Sequence, residues 1–391
     1  MQNTSKYISA TFIIYGVVAF FVPFPLIRNT NLIIGMLAIL FWGKYLLRYN
    51  QFTRLYIFII LFLFARFIAQ YIFSGYQSPH IFGDLYRALL FLLTIYIFSE
   101  IFNNENVLIK FFHHLWIFSY ILIIAIILSH ILDLEYLKID DQGRLRWFAW
   151  PNSGGPGFSK MFTFLGVVFL YQQNHRHPNI GFRTKIYTSV KLLPHVLLCI
   201  LGGTRLSLLI FIIAILIYFK INKRILYLFP ISIGASFQVL NELLSKLPGF
   251  ERLAIDTSGG RVMIWSNFYE KITENTSAIL WGYGPGYIMT KIYVPGTDII
   301  GGYFYATHNM FLQIWLGYGI IIAMIFVILY IRFVFKVYHM KHPNQMIYGL
   351  LAYVVSTEIL GTSYLMYDYN WSIAVAYAVL INSLVKNKKN I

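Results

Sequence analysis

The sequence predicts an all-α, polytopic membrane protein with about twelve transmembrane helices and one large extracytoplasmic loop. Of its 391 residues, 58% are hydrophobic and only 12% are charged, whereas soluble globular proteins carry roughly 25% charged residues. Apolar runs of about 20 residues, the length that a helix needs to cross a bilayer, recur along the chain. One long polar interval, residues 242–308, separates two of these runs.

Twelve apolar runs are predicted to span the membrane, each close to the range of about 17 to 25 residues. They are 7–27, 30–48, 54–74, 83–103, 107–132, 155–173, 187–202, 204–221, 225–241, 309–334, 345–366 and 370–386. The first run is too long for a signal-peptide core and lacks a small-residue cleavage site, so we expect it to remain as a helix. Without an internal repeat or a soluble segment, residues 1–391 are predicted to form a single integral membrane domain.

The charged residues between these runs predict the orientation of the chain. Basic residues dominate the loops on one side, including Lys44, Arg183, Lys223, Lys341 and Lys388. Acidic residues dominate the opposite loops, including Asp133, Asp140, Glu251, Glu270 and Asp298. The positive-inside rule places the basic loops in the cytoplasm, which predicts cytoplasmic termini and an extracytoplasmic 242–308 loop. The same rule explains the net charge of +16 by the cytoplasmic loops that orient the chain in the membrane, rather than by nucleic-acid binding.

The turn before the eighth predicted span resembles an anion-binding helix start. Gly202 and Gly203 permit a tight turn, Thr204 is a plausible N-cap, and Arg205 opens the helix. Free backbone N–H groups beside a guanidinium are suited to bind an anion, diphosphate above all. The alternative is a short turn whose arginine reaches the lipid headgroups.

A second helix is predicted to begin at Ser258 within the large loop. Five apolar residues recur at helical spacing and predict an amphipathic helix lying along the membrane interface: Val262, Trp265, Phe268, Tyr269 and Ile272. Arg261 falls in its first turn, where a cation opposes the helix dipole, so another interaction is expected to favour it. The alternative is a surface arginine held by Glu270, Glu274 or lipid phosphate.

The end of the large loop combines a glycine-rich turn with a histidine. Residues 281–286 read Trp-Gly-Tyr-Gly-Pro-Gly, and such glycines let backbone approach a ligand closely. His308 directly precedes the tenth predicted span, and histidine is the natural general base near neutral pH. The alternative is an inert loop histidine. No second histidine or carboxylate has metal-ligand spacing to it, and the single Cys199 excludes a cysteine zinc cluster.

Further cations lie at the same predicted face or inside the spans. Arg144 and Arg146, beside Trp147, are suited either to phosphate and sugar binding or to an interfacial anchoring belt. Four ionisable residues fall inside predicted spans and are expected to face the bundle interior: Arg66, Asp84, Arg87 and Glu358. Arg87 would pair with Asp84, one turn away, or point to a substrate phosphate.

Together these motifs resemble the O-antigen polymerase and O-antigen ligase superfamily. The resemblance is carried by Thr204-Arg205, Gly260-Arg261 with Ile264-Trp265, Gly282-Tyr-Gly-Pro-Gly286, and His308-Asn309 with Leu312-Gln313 and Gly317. It implies a multi-pass enzyme of the bacterial inner membrane that transfers a glycan from undecaprenyl diphosphate. The active site would lie on the periplasmic face, so that 242–308 is a large periplasmic loop containing the amphipathic helix. The family implies no metal and no cofactor.

The resemblance also assigns roles to individual residues. Arg205 and Arg261 would hold the donor diphosphate, and His308 would activate or orient the acceptor hydroxyl. Seven further residues are implied as substrate contacts: Thr204, Asn309, Arg87, Arg144, Arg146, and Gly284 and Gly286, whose turn would shape the acceptor side. The implied partners are a lipid-linked oligosaccharide, the lipid bilayer and a chain-length regulator protein.

Three classes of function compete on this sequence: a glycan transferase, a flippase or transporter, and a non-catalytic scaffold. A repeat-unit polymerase is favoured, and an O-antigen ligase that transfers glycan to lipid A–core is the alternative, because both share these motifs. A polysaccharide flippase or transporter is more distant, since it is expected to place polar groups along a midplane path, whereas here they concentrate at one face. A non-catalytic scaffold gives no reason for the two arginines and the histidine of these motifs.

Overall fold

The computed structural model describes a large part of the chain. It covers residues 98–132, 137–139, 145–147, 155–177, 181–201, 205–220, 258–284, 292–293, 303–304, 309–360 and 371–389, with positions 61, 62, 64–66, 68, 91, 92, 95 and 96. The predicted spans 7–27, 30–48 and 225–241 lie outside the described residues.

The described chain is helical, with two very short strand pairs. The helices are α1 (Glu105–Ile131), α2 (Gly155–Arg176), α3 (Phe182–Lys191), α4 (Leu193–Leu201), α5 (Arg205–Tyr218), α6 (Ser258–Thr273), α7 (Thr276–Trp281), α8 (Met310–Tyr318), α9 (Ile320–His339), α10 (Ile347–Leu360) and α11 (Trp371–Lys389). The strands are β1 (Leu137–Ile139), β2 (Leu145–Trp147), β3 (Ile292–Tyr293) and β4 (Tyr303–Phe304). Each pair, β1 with β2 and β3 with β4, is antiparallel.

Two of the described helices, α1 over residues 105–128 and α9, are long and apolar enough to cross a membrane. Parts of α5, α10 and α11 are apolar but shorter. The helices α1, α2, α5, α10 and α11 occupy the places of the fifth, sixth, eighth, eleventh and twelfth predicted spans. The sequence therefore located these helices correctly, within a few residues at their ends.

Helix α2 lies at the centre of the described bundle, where it contacts α1, α4, α5 and α10. It runs antiparallel to α4, because Ser159 donates to the Cys199 carbonyl at 3.3 Å while Gly166 contacts Leu192. Helix α10 is also antiparallel to α2, since the rings of Phe164 and Tyr353 lie 5.5 Å apart, while Gly349, earlier in α10, lies against Val167, later in α2.

Helices α2, α5 and α10 pack together at Gly349 of α10. A β-carbon placed at Gly349 would lie 3.6 Å from Val167 of α2 and 3.8 Å from Ala214 of α5.

Phe182 of α3 contacts Phe219, just after α5, whereas Leu192 and Phe211 both meet Gly166 of α2. Helix α5 therefore runs opposite to α3 and α4 and in the same direction as α2. The heads of α2 and α5 and the tail of α10 therefore lie at one end of the bundle.

The seventh predicted span, 187–202, is divided into two shorter helices in the structure. Helix α3 ends at Lys191 and α4 begins at Leu193, with Leu192 between them. Pro194 explains the break, because it has no backbone N–H to donate to Val190 and its ring clashes with a continuing helix. Helix α3 carries exposed Phe182 and Tyr187, so this stretch is not one continuous spanning helix.

The tenth predicted span, 309–334, is also divided into two helices. The break determines where the start of α8 lies relative to α9. Helix α8 ends before Gly319, whose backbone has φ 84° and ψ 169°, and α9 begins directly after it. Helix α8 then lies back along α9, since the Phe311 ring is 5.8 Å from Tyr330 and 6.4 Å from Phe326. The first turn of α8 is therefore level with the middle of α9, not with its outer end.

Candidate functional site

Two glycine-containing turns cross at backbone contact near the end of the large loop. Gly282 has φ 69° and Gly319 has φ 84°, and a β-carbon at Gly282 would lie 2.7 Å from the backbone nitrogen of Gly319. The Tyr283 N–H donates to Leu316 O at 2.8 Å, and the Gly284 N–H donates to Gly317 O at 3.0 Å. These glycines thus bring two stretches of backbone together, in addition to any approach to a ligand.

Helices α6, α7 and α8 form a small cluster around this crossing. Phe268 and Ile272 of α6 pack with Leu316 of α8, and all three are buried. The Trp315 indole N–H donates to the Ile279 carbonyl at 3.1 Å, and its ring lies 5.9 Å from Tyr269. The helix that carries Arg261 is therefore attached to the helix that follows His308.

Three polar side chains join the end of α6 to the turn that contains Gly282. The Tyr283 hydroxyl donates to Lys271 O at 2.8 Å and lies 3.1 Å from a Glu274 carboxylate oxygen. Lys271 pairs with Glu274 at 2.7 Å, and this hydrogen bond lowers the pKa of the Glu274 carboxyl. Partial burial, together with the hydrogen bond to Glu274, raises the pKa of Tyr283 to about 12.

Arg66, from the third predicted span, reaches the same turn. Its half-buried guanidinium donates to the carbonyl oxygen of Trp281. One of its donors faces the backbone just before Gly282, and its predicted position in the bundle interior stays a prediction. This arginine links the third predicted span to the glycine crossing.

A second, recessed group of ionisable side chains lies inside the bundle. Glu358 of α10 is fully buried, which confirms its predicted interior position, and Lys160 of α2 is 3% exposed. The two lie close enough for their charges to interact. Tyr330 of α9 and Tyr377 of α11 interact electrostatically with the same carboxylate.

The recessed group is level with the first residue of α5. Lys160 lies seven residues before Val167, Glu358 lies nine residues after Gly349, and Arg205 lies nine residues before Ala214. A helix rises 1.5 Å per residue, so Lys160, Glu358 and Arg205 each lie roughly 10 to 14 Å along the bundle axis from the point where Val167, Gly349 and Ala214 pack together. All three lie on the same side of that point.

The recessed group is level with the first turn of α8 as well. Phe311 contacts Tyr330, and Met310 is completely buried in the same core. The first residue of α5 and the first turn of α8 therefore both lie at about the level of Lys160, Tyr330 and Glu358, at one end of the bundle.

The predicted site residues are described to different extents. Arg205 is the first residue of α5 and Arg261 the fourth of α6, so both predicted helix starts are confirmed. Arg146 lies in β2, where its backbone pairs with Lys138. Gly284 has φ 95° and takes part in the glycine crossing. The remaining predicted residues lie outside the described part of the chain: His308, Thr204, Arg87, Arg144 and Gly286.

Asn309 has a structural role that the sequence did not predict. Its side-chain oxygen accepts hydrogen bonds from the N–H groups of Phe311 at 2.9 Å and Leu312 at 3.2 Å, which caps α8. An asparagine directly before an apolar helix is a recognisable N-cap signal. Its predicted contact with substrate stays a prediction.

Sequence reasoning missed Lys160 and Tyr330. Lys160 lies only six residues into its helix, where a basic residue is ordinarily explained as an end anchor. Tyr330 is one of 30 tyrosines and lies in a continuous apolar run. No group of three metal-ligating side chains occurs among the described residues.

The apolar helices and the ionisable side chains buried at one end of the bundle define a helical membrane protein with a candidate functional site at that end. Residues 192–327 match the model of the family described as O-antigen ligase. This match covers roughly a third of the chain, from α4 into α9, and includes the positions of Arg205, Arg261 and His308. It confirms the predicted resemblance to the superfamily of O-antigen polymerases and ligases, and it supports a glycosyltransferase activity of that general type. No curated protein matches the sequence.

Proposed function

We propose that this protein transfers a glycan from a polyprenyl diphosphate, undecaprenyl diphosphate in bacteria, to a sugar hydroxyl, and that it is a repeat-unit polymerase. The observation that carries the proposal is that two helix heads lie at about the same level, at one end of the bundle. Helix α5 begins at Arg205 and α8 begins directly after His308-Asn309, and both heads lie at about the level of the same buried polar group. The proposal assigns the cation, Arg205, to the first of these helix heads and the base, His308, to the position before the cap of the second.

The proposed chemistry is a direct displacement at the anomeric carbon. Arg205, at the positive end of a helix, and Arg261 bind the diphosphate and stabilise the charge that grows on it. The acceptor oxygen bonds to the anomeric carbon while the bond from that carbon to the diphosphate oxygen breaks. His308 takes the hydroxyl proton, and the configuration at the anomeric carbon inverts.

The proposal also covers the cellular setting. The reaction takes place at the periplasmic face of the inner membrane, with both termini in the cytoplasm. The donor carries its own leaving group, so neither a metal nor a nucleotide is needed. Arg144, Arg146, Arg87 and Thr204 are proposed as further substrate contacts, and the Gly284 to Gly286 turn as the acceptor wall. A chain-length regulator is a proposed partner.

The first test replaces the three proposed catalytic residues one at a time. Arg205→Ala, Arg261→Ala and His308→Ala should each lower transfer by about a hundredfold or more, because a fixed donor to a developing charge and a general base each contribute about that much. The measurement is glycan transfer by purified protein in vesicles that contain the lipid-linked oligosaccharide. Arg205→Lys should also be impaired if the guanidinium binds two phosphate oxygens.

Lys110→Ala is the matched control, because Lys110 is an exposed cation on α1, outside the proposed site. It should keep wild-type transfer. Wild-type activity in one of the three site variants, at equal protein level, would remove that residue from the mechanism.

An O-antigen ligase is the second candidate, because the matched family model carries that description. Polymerase and ligase differ in the acceptor, which is a second lipid-linked repeat unit for one and lipid A–core for the other. A deletion strain separates them by its lipopolysaccharide. Core plus one repeat unit identifies the polymerase, whereas bare core with long glycan retained on the lipid identifies the ligase.

A further inference from the structure

Lys185 of α3 is a buried cation at the end of the bundle opposite the candidate functional site. The residue is 8% exposed, and its Nζ atom lies 5.7 Å from the centre of the Tyr218 ring, at the end of α5. The first residue of α3 lies at the same place, because the Phe182 and Phe219 rings are 5.6 Å apart. Lysine is almost never fully buried unless it is paired, so a partner for Lys185 is expected.

Among the residues that the structure describes, no negative charge accompanies Lys185. Burial and the nearby charge of Lys220, just after α5, lower the pKa of the Lys185 ammonium. Glu105, a carboxylate at this end of the bundle, pairs with His175 at 3.2 Å instead. Neither lysine forms an ion pair with a described carboxylate. The two cations thus repel each other, and an anion between them would stabilise both.

Lys220 occupies a backbone position that lysine does not favour. Its φ is 62°, in the left-handed region, and its N–H donates to Ile217 O at 2.9 Å, which closes the turn after α5. Helices commonly end in this region with glycine, because glycine has no β-carbon to strain the backbone. The side chain of Lys220 is exposed, so the lysine pair can be reached from the surface. A role for its ammonium group explains this lysine better than the turn does.

The outward side of α3 carries apolar residues in a row that continues onto α4. Five large apolar side chains of this row are exposed and recur at helical spacing: Phe182, Ile186, Val190, Leu193 and Leu197. The last two belong to the seventh predicted span, so we expect the apolar row to face acyl chains. Lys185 and Thr188 lie on a different, buried side of α3. Cations are thus placed beside a surface suited to lipid.

We propose that Lys185 and Lys220 bind the phosphate of an anionic phospholipid whose acyl chains lie along the apolar row. The phosphate accepts charge-assisted hydrogen bonds from both ammonium groups, as in basic pockets between helices that hold lipid headgroups. A lipid in this site joins α3 to the end of α5. The site is at the opposite end of α5 from Arg205, so the inference does not rest on the proposed function.

The test measures lipid binding by the purified full-length protein in detergent. Short-chain phosphatidylglycerol is the anionic probe, phosphatidylcholine is the zwitterionic comparison, and native mass spectrometry counts the bound lipid. Wild type should retain phosphatidylglycerol in preference to phosphatidylcholine. Lys220→Gln should raise the Kd for phosphatidylglycerol about fivefold, because one lysine beside an anionic headgroup contributes about that factor.

Variants of Lys185 test the buried half of the site. Lys185→Met keeps an apolar stem of similar length and should weaken phosphatidylglycerol binding at least as much as Lys220→Gln. Lys185→Arg keeps the charge and should retain the preference for the anionic lipid. If Lys185→Met does not fold, the exposed Lys220 carries the test, because replacing an exposed side chain leaves the core intact.

Lys191→Gln is the matched control for a general effect of surface charge. Lys191 is an exposed lysine on the same helix, and its Nζ atom lies 4.6 Å from the centre of the Tyr187 ring. This variant should keep the wild-type Kd for phosphatidylglycerol.

Four outcomes would overturn the inference. Equal retention of the two lipids by wild type would show that the headgroup charge is not recognised. A wild-type Kd in Lys220→Gln would remove that residue from the site. An equal loss of affinity in Lys191→Gln would indicate attraction to the basic surface as a whole. Displacement of phosphatidylglycerol by inorganic phosphate at the same concentration would identify a soluble anion, rather than a lipid, as the ligand.

Discussion

At the residue scale, two glycines fix the geometry on which the site depends. Gly282 and Gly319 adopt positive φ with ψ near 180°, a backbone region that is essentially restricted to glycine. Each also lies where a β-carbon would meet the backbone of the other turn. The sequence singled out Gly282 for close approach to a ligand, but the structure shows approach to another backbone. Gly319 was overlooked because apolar residues continue on both sides of it.

Gly319→Ala is therefore expected to destabilise the protein. A side chain at this φ costs about 1 to 3 kcal/mol, and the new β-carbon would stand 2.7 Å from the Trp281 nitrogen. We expect a lower midpoint of thermal unfolding in detergent and reduced transfer, since α8 would lose its return along α9.

Gly181→Ala is the matched control for that substitution. Gly181 has φ −63°, and a β-carbon placed there would have no neighbour within 4 Å. Its thermal midpoint should stay close to that of wild type. An unchanged midpoint in Gly319→Ala as well would contradict the structural role given to the glycine crossing.

At the element scale, the sequence predicted helix starts better than helix breaks. The start at Arg205 was found because two glycines and a capping residue precede it, and the start at Ser258 because a serine before two glycines is itself a capping signal; both signals are local. The breaks at Leu192 and Gly319 fall inside apolar runs, where hydropathy gives no boundary. Whether such a run is one long helix or two packed helices depends on tertiary contacts, here Phe311 with Tyr330, which the pattern of hydrophobic residues does not contain.

Asn309 allows the structural and the binding contributions of one helix cap to be separated. Asn309→Ala removes the acceptor for two backbone N–H groups of α8 and should cost about 1 kcal/mol of stability. Asn309→Asp keeps an oxygen at the cap and should preserve the thermal midpoint. Asp has no amide donor for a substrate oxygen, so transfer should still fall several-fold if the predicted substrate contact exists.

Both readouts of the Asn309 variants are needed. Thermal unfolding reports the cap, and the kinetics of transfer report the contact with substrate. Wild-type transfer in Asn309→Asp would limit this residue to capping. A thermal midpoint of Asn309→Ala equal to that of wild type would contradict the cap itself.

At the scale of the whole molecule, the loop charges and the buried pair of Lys160 and Glu358 give two different kinds of information. The loop charges predict which side faces the cytoplasm, and the contacts of α2, α5 and α10 show which helix ends gather Lys160, Glu358 and the head of α5. Composition alone was sufficient to predict a helical membrane protein. The grouping of Lys160 with Glu358, 198 positions apart in the sequence, was not accessible, because pairing across such a distance is set by helix packing.

The predicted sidedness is testable with introduced cysteines. Glu274→Cys, in the connection between α6 and α7, should react with a membrane-impermeant maleimide added to intact spheroplasts. Lys341→Cys, after α9, should react only once the membrane is opened. The native Cys199 is fully buried, and burial of a thiol makes it inert, so it should contribute little background. Labelling of Lys341→Cys in intact spheroplasts, with Glu274→Cys protected, would reverse the orientation and place residues 242–308 in the cytoplasm, where the proposed periplasmic transfer could not occur.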